Sequence, residues 1–258
     1  DTMDALIEDK LADADWLEHL DGGNAPLVNL STLALTLTGE VLRDGGAGIG
    51  GLIKGFVQRL GEPVIRSAVV KAMQILGGQF VLGRDIEEAT RVARRYEKDG
   101  NTLSYDMLGE AARTEADARR YRAAYAEAIA VLATRSAAGS VRDNPGVSVK
   151  LSALHPRYEF SQRDRVMDEL VERVRALALM ARGANMGFNI DAEEADRLDL
   201  SLDVIAAVLA DPRLAGWDGF GVVVQAYGPR TGAVIDWLAA LAQSLDRRLM
   251  VRLVKGAY

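Results

Sequence analysis

Residues 146–152 read "GVSVKLS". Val147, Val149 and Leu151 alternate with Ser148 and Lys150, the two-residue period of a strand with one apolar and one polar face. Four more runs have the same texture: "TLSYDML" (102–108), "GFNIDAE" (187–193), "GVVVQAY" (221–227) and "LMVRLVKG" (249–256). Between them lie segments of helical period: "TEADARRYRAAYAEAIAVL" (114–132), "SQRDRVMDELVERVRALALMA" (161–181), "DRLDLSLDVIAAVLA" (196–210) and "TGAVIDWLAALAQSL" (231–245). Strand alternating with helix predicts a parallel sheet with crossover helices. Thr114 to Asp117 and Ser161 to Asp164 have capping-box spacing and are expected to open the first two helices.

Parity along the strands gathers the polar residues. Ser104 and Asp106 share a face, as do Ser148 and Lys150, Asn189 and Asp191, Val223 and Gln225, and Met250 and Arg252. The opposite faces are apolar enough to meet helices. Each polar face ends in a functional group: Asp106, Lys150, Asp191, Gln225 and Arg252. Outward residues packing a helical ring, with functional residues at the C-terminal strand ends, is the plan of a (β/α)8 barrel. An open doubly wound sheet also places ligands at strand C-termini, but five successive similar units suit a barrel better. Charges inside such a structure need partners: Asp191 with Arg252 and Asp106 with Lys150 are expected either as purely structural pairs or as part of a site in which Arg252 faces an anionic ligand or Asp191.

Residues 1–98 read as a helical region preceding the barrel segment, 99–258. Leu6, Leu11, Trp16 and Leu17 fall near one helical face. "EPVIRSAVVKAMQIL" (62–76) opens on a first-turn proline. "DIEEATRVARRYEKDG" (85–100) runs from acid to base and stops at a glycine. "GAGIGG" (46–51) matches a dinucleotide fingerprint, but no second strand with its acidic residue follows, so an interhelical turn is expected.

With 258 residues and 49% apolar content, the chain can build a substantial core. Its net charge of -6 argues against a nucleic-acid footprint. Cysteine is absent, and His19 and His155 lie far apart, so disulfides and thiolate metal sites are excluded and an imidazole metal site is not expected. Glu193, Glu194 and Asp196 are read as favouring a helix N-terminus rather than as metal ligands. His155 is given a loop-positioning role. No run reaches the length of a membrane span.

The motifs "SYDMLGEAA", "SVKLSALHPRY", "DAEEADRLDLSLD", "VVQAYGPR" and "RLMVRLVKGAY" closely resemble the proline dehydrogenase domain of bifunctional proline utilisation A flavoenzymes. The stretch "LGEPVIRSAVVKAMQILGGQFVLG" (60–83) is similar to the helical region before the barrel in those proteins. The resemblance implies a distorted (β/α)8 barrel, present here through about strand five, that binds FAD noncovalently. It implies oxidation of L-proline to Δ1-pyrroline-5-carboxylate by hydride transfer to flavin N5. By this resemblance Lys150 and Asp106 lie beside substrate and flavin, and Arg252 near the reactive edge of the ring. Asp191, Val223, Gln225, Lys255, Gly256 and Ala257 are expected along the cofactor. Tyr258 is expected over the proline ring, and Glu110 as a loop acid pairing with a substrate-binding arginine. The family's carboxylate clamp lies beyond this segment, as does the implied aldehyde dehydrogenase domain. A membrane quinone is the implied electron acceptor. A cytoplasmic location, peripheral at the inner membrane, and a homo-oligomer are compatible with the resemblance. The rival chemistry is a Schiff-base lyase using Lys150 or Lys255.

Overall fold

A computed structural model describes residues 81–256. The helices expected before residue 81 and the "GAGIGG" turn lie outside them. From Gly83 onward the chain forms one compact unit, so the helix 85–100 groups with the sheet. That helix, α1 (Ile86–Glu97), starts at Asp85, whose carboxylate accepts from Glu88 N at 2.7 Å, and Gly100 follows it at φ +82°. Acidic Glu87 and Glu88 open it and basic Arg94 and Arg95 close it, in the sense that the helix dipole favours.

Strand β1 (Ser104–Asp106) leads into α2 (Glu115–Ala133). Thr114 and Asp117 make the expected reciprocal capping box there. After β2 (Gly146–Val149) the chain turns at once into the one-turn helix α3 (Leu151–Leu154) and then α4 (Arg163–Gly183). Ser161 does not cap α4. A 3-10 turn over Phe160–Gln162 absorbs Ser161 into the helical lead-in, and Gln162 becomes the N-cap without a side-chain bond. Strand β3 (Gly187–Ile190), helix α5 (Leu198–Leu209), strand β4 (Phe220–Gln225), helix α6 (Thr231–Ser244) and strand β5 (Met250–Val254) complete the series.

The strands lie in the order β1-β2-β3-β4-β5, every neighbouring pair parallel. A doubly wound sheet reverses direction at a switch point. This one never does, so successive crossovers put their helices on one side and the polar parity face on the other. The core forms on the helical side. Val147 and Val149, Phe188 and Ile190, and Phe220, Val222 and Val224 are buried, as are the α4 and α5 residues Leu170, Val174, Leu177, Val204 and Val208. The Phe188 and Phe220 rings, opposite each other in register, stand 5.9 Å apart. Val251 and Leu253 point to the same side but are exposed, because no described helix covers β5.

The inward face tapers. Gly146, Gly187 and Gly221 stand at or near the starts of their strands on that face. A Cβ on Gly221 would run into the Asn189 amide. Small groups low in the sheet let it curl, while the larger polar residues stand toward the C-terminal ends.

Candidate active site

Strand ends bring the sequence-selected charges together. Lys150 Nζ donates to Asp106 Oδ1 at 2.8 Å and Oδ2 at 3.0 Å, and to Asp191 Oδ2 at 2.9 Å. Arg252 donates through Nη2 to Asp191 Oδ1 at 2.7 Å and through Nη1 to Ser148 Oγ at 3.0 Å. The two expected pairs are thus one chain of alternating charge, Asp106, Lys150, Asp191, Arg252. Asp191 serves both cations, one with each oxygen.

Arg252 reaching Ser148 is also a measure of curvature. The two residues belong to β5 and β2, three interstrand spacings apart, which is about 14 Å in a flat sheet. That exceeds the reach of an arginine side chain. Only a sheet curled toward its inward face allows a 3.0 Å bond between them.

Burial alone would work against the Lys150 ammonium, but hydrogen bonds and charge from Asp106 and Asp191 outweigh it. The lysine pKa is raised above its ordinary value. A Schiff-base lysine needs the opposite shift, since the free amine is the nucleophile. Lys150 therefore does not fit the lyase chemistry.

Gln225 lies at the end of β4, and its amide donates to Glu193 O at 2.8 Å. Val223 is buried and stands opposite Arg252 in register. Lys255 is exposed, and its carbonyl accepts from Tyr227 N at 3.2 Å. Gly256 has φ +117°, and a Cβ there would collide with the Tyr227 ring. Glu110 is exposed and makes no ion pair among the described residues. Ala257 and Tyr258 lie outside the described residues.

Sequence reasoning missed Glu193. Its carboxylate reaches back across the sheet to accept from Ser152 N at 3.0 Å. Burial pushes its pKa up. Ser152 in turn accepts through Oγ from Ala111 N at 3.0 Å, and its carbonyl accepts from Ala112 N at 2.9 Å. The loops after β1, β2, β3 and β4 are thereby laced side by side. Glu194 behaves more locally, pairing with Arg197 at 3.0 Å. No periodicity signals a side chain whose partner is a backbone amide 41 residues away.

His155 is buried, and its Nδ1 accepts from Arg157 N at 3.1 Å while Nε2 lies 3.3 Å from Glu169. Burial lowers its pKa, so the imidazole is held neutral in the loop. A cavity lined by Tyr158, Arg197, Leu202 and Arg230 runs along β4 and is also bordered by Glu193 and Gln225.

Two features suit the site to a flat group that gains negative charge. Arg252 Nε is buried and has no hydrogen-bond partner among the described residues. The Gly256 backbone, with no room for a Cβ, permits close approach.

Comparison with known proteins bears on the family and the fold. The family model described as proline dehydrogenase matches residues 89–258. A second, described as the DNA-binding domain of proline dehydrogenase, matches residues 1–80. That description runs against the expectation drawn from net charge, and residues 1–80 themselves hold 11 acidic and 6 basic residues. Residues 1–80 lie outside the described structure. The bifunctional protein PutA of Salmonella typhimurium is 46% identical over 258 residues, all of this chain and 20% of the relative. That of Rhizobium meliloti is 48% identical over the same span, 21% of its length. The chain thus spans about a fifth of these relatives. A crystal structure of proline utilization A from Bradyrhizobium japonicum matches all of this chain and 26% of its own, at 49% identity and TM-score 0.68. The Bdellovibrio bacteriovorus protein, 21% identical with TM-score 0.75 over 98% of this chain and 29% of its own, shares the fold.

Proposed function

This chain belongs to the proline dehydrogenase family, and from that membership we propose that it forms the first five strands of a (β/α)8 barrel that oxidises L-proline to Δ1-pyrroline-5-carboxylate with FAD. The observation that carries the reading is the run Asp106, Lys150, Asp191, Arg252 at the C-terminal strand ends, within the residues that match the family.

A flavin bound there would accept the two electrons that leave proline C5 as hydride. Loss of that hydride and of the ring nitrogen's proton leaves the C=N bond of the product. Arg252 supplies a cation already fixed by Asp191 and Ser148, so little reorganisation is needed as negative charge grows beside it. Asp191 keeps that guanidinium in place and balances Lys150. Lys150, held as an ammonium by two carboxylates, orients and neutralises charge and does not accept a proton. Gln225, Val223, Lys255 and Gly256 would border the ring. Tyr258, Ala257 and Glu110 are assigned to substrate and cofactor by the family likeness. A quinone is the proposed acceptor for the reduced cofactor. Among the described residues no helix is long and apolar enough to cross a membrane.

The test is an absorbance spectrum of the full-length protein before and after L-proline. A flavin spectrum that bleaches on anaerobic addition supports the reading. A colourless protein, or covalent trapping of a carbonyl substrate on Lys150 or Lys255 by borohydride, would defeat it.

A further inference from the structure

The ladder between β1 and β2 runs out just where Lys150 needs it. Gly146 N donates to Leu103 O at 2.9 Å, and Asp106 stands opposite Ser148. On this edge of β2 the donors alternate, so after residues 146 and 148 the next is the amide of Lys150. Strand β1 has ended at Asp106 by then. The hydroxyl of Tyr125, on α2, takes the place of the missing carbonyl and accepts from Lys150 N at 3.2 Å.

Tyr125 is suited to this use. Its side chain is 1% exposed, on the face of α2 that also buries Ala128, Ile129 and Leu132. Burial pushes the phenol up to about 12, so it stays neutral and retains its proton. The other polar ties of the same turn are accounted for. Ser152 N goes to Glu193, Ser152 O to Ala112, and Leu154 O accepts from Arg173 at 2.7 Å.

We propose that Tyr125 is a positioning residue for Lys150, setting through the backbone amide where the ammonium meets Asp106 and Asp191. The proposal rests on the functional reading above, in which Lys150 lies beside the substrate. The ammonium must stay within about 3 Å of carboxylates on two different strands, and charge-assisted bonds weaken when that geometry loosens. Tyr125→Phe keeps the ring in its packing and removes only the acceptor.

The experiment uses full-length, flavin-loaded protein and anaerobic stopped-flow reduction by L-proline. Tyr125→Phe is expected to keep its flavin content and to lower the limiting reduction rate by about tenfold, the scale of one buried hydrogen bond. In a Lys150→Met background the same change should alter the residual rate by less than about twofold, because the two act as a unit. Hydrogen exchange of the peptide spanning residues 146–154 should show a protected Lys150 amide in the wild type and a faster one in Tyr125→Phe. An equal loss in both backgrounds, a Tyr125→Phe rate matching the wild type, or an unprotected Lys150 amide in the wild type overturns the role of Tyr125 alone. A flavin-loaded wild type that proline does not reduce overturns the functional reading and this role with it.

Discussion

Arg252 on β5 and Asp191 after β3 meet at 2.7 Å over the top of β4, although 61 residues separate them. The carboxylate is 14% exposed and the guanidinium 40%, so the pair is half sheltered, and Asp191 is shared with Lys150. Such an arrangement gives modest stability and firm orientation. Removing one member leaves the others misdirected rather than merely unpaired.

Arg252→Met should therefore fold but bind flavin more weakly and reduce it slowly. Loss of one preorganised donor facing developing charge costs about 2.7–4 kcal/mol in the barrier, a factor of roughly 100 to 1,000. Stopped-flow reduction and flavin content of the purified full-length variant measure both effects. Wild-type values for the two would remove Arg252 from the mechanism.

Ser148→Ala tests the other anchor of the same guanidinium. Ser148 is fully buried and accepts from Arg252 Nη1. A hydrogen bond to a charged group is worth about 1.5–3 kcal/mol. Partial exposure of Arg252 lets water compensate, so the expected loss of stability is at or below about 1.5 kcal/mol. The reduction rate should fall less than in Arg252→Met. A loss as large as that of Arg252→Met would mean that Ser148, and not Asp191, chiefly holds the arginine.

Glu193 makes a pH prediction whose sign follows from burial. Its folded pKa is raised above 4.5, so the folded state holds the proton more tightly than the unfolded chain. Its contribution is fully present below the unfolded pKa and is lost as pH rises through the folded one. Urea denaturation of wild type and Glu193→Gln from acid to neutral pH should show the wild type losing stability relative to the variant over that rise. Parallel curves would show that the Ser152 amide offsets the burial of this carboxylate.

Gly256→Ala should impair cofactor retention more than folding. The residue has φ +117°, and an added Cβ meets the Tyr227 ring. Strain of this kind costs on the order of 1–3 kcal/mol. It falls at the end of β5, beside the site and away from the core. Flavin content after dialysis is the measurement. Full retention would place the cofactor away from the Lys255–Gly256 backbone.

Much of this arrangement could be read before any coordinates. Strand parity alone selected Asp106, Lys150, Asp191, Gln225 and Arg252, because a period of two leaves a polar residue in a strand only one direction to point. Capping was legible at Thr114, where donor and acceptor lie three residues apart, and failed at Ser161, where a 3-10 turn moved the helix start. Glu193 was read as serving the next helix because its neighbours are acidic. Its real partner is the Ser152 amide on another loop.

Local periodicity was enough to establish alternating strands and helices and to say which side chains share a face, since both depend on backbone geometry within a few residues. It could not say that Asp191 divides its two oxygens between Lys150 and Arg252, that Gln225 turns to Glu193 O, or that Tyr125 completes a ladder its own strand neighbour abandons. Those contacts join residues 25 to 61 positions apart. The Asp191–Arg252 contact exists because the sheet curls, which brings the ends of nonadjacent strands within hydrogen-bonding distance. The others follow from the packing of neighbouring strands and of a helix on the sheet.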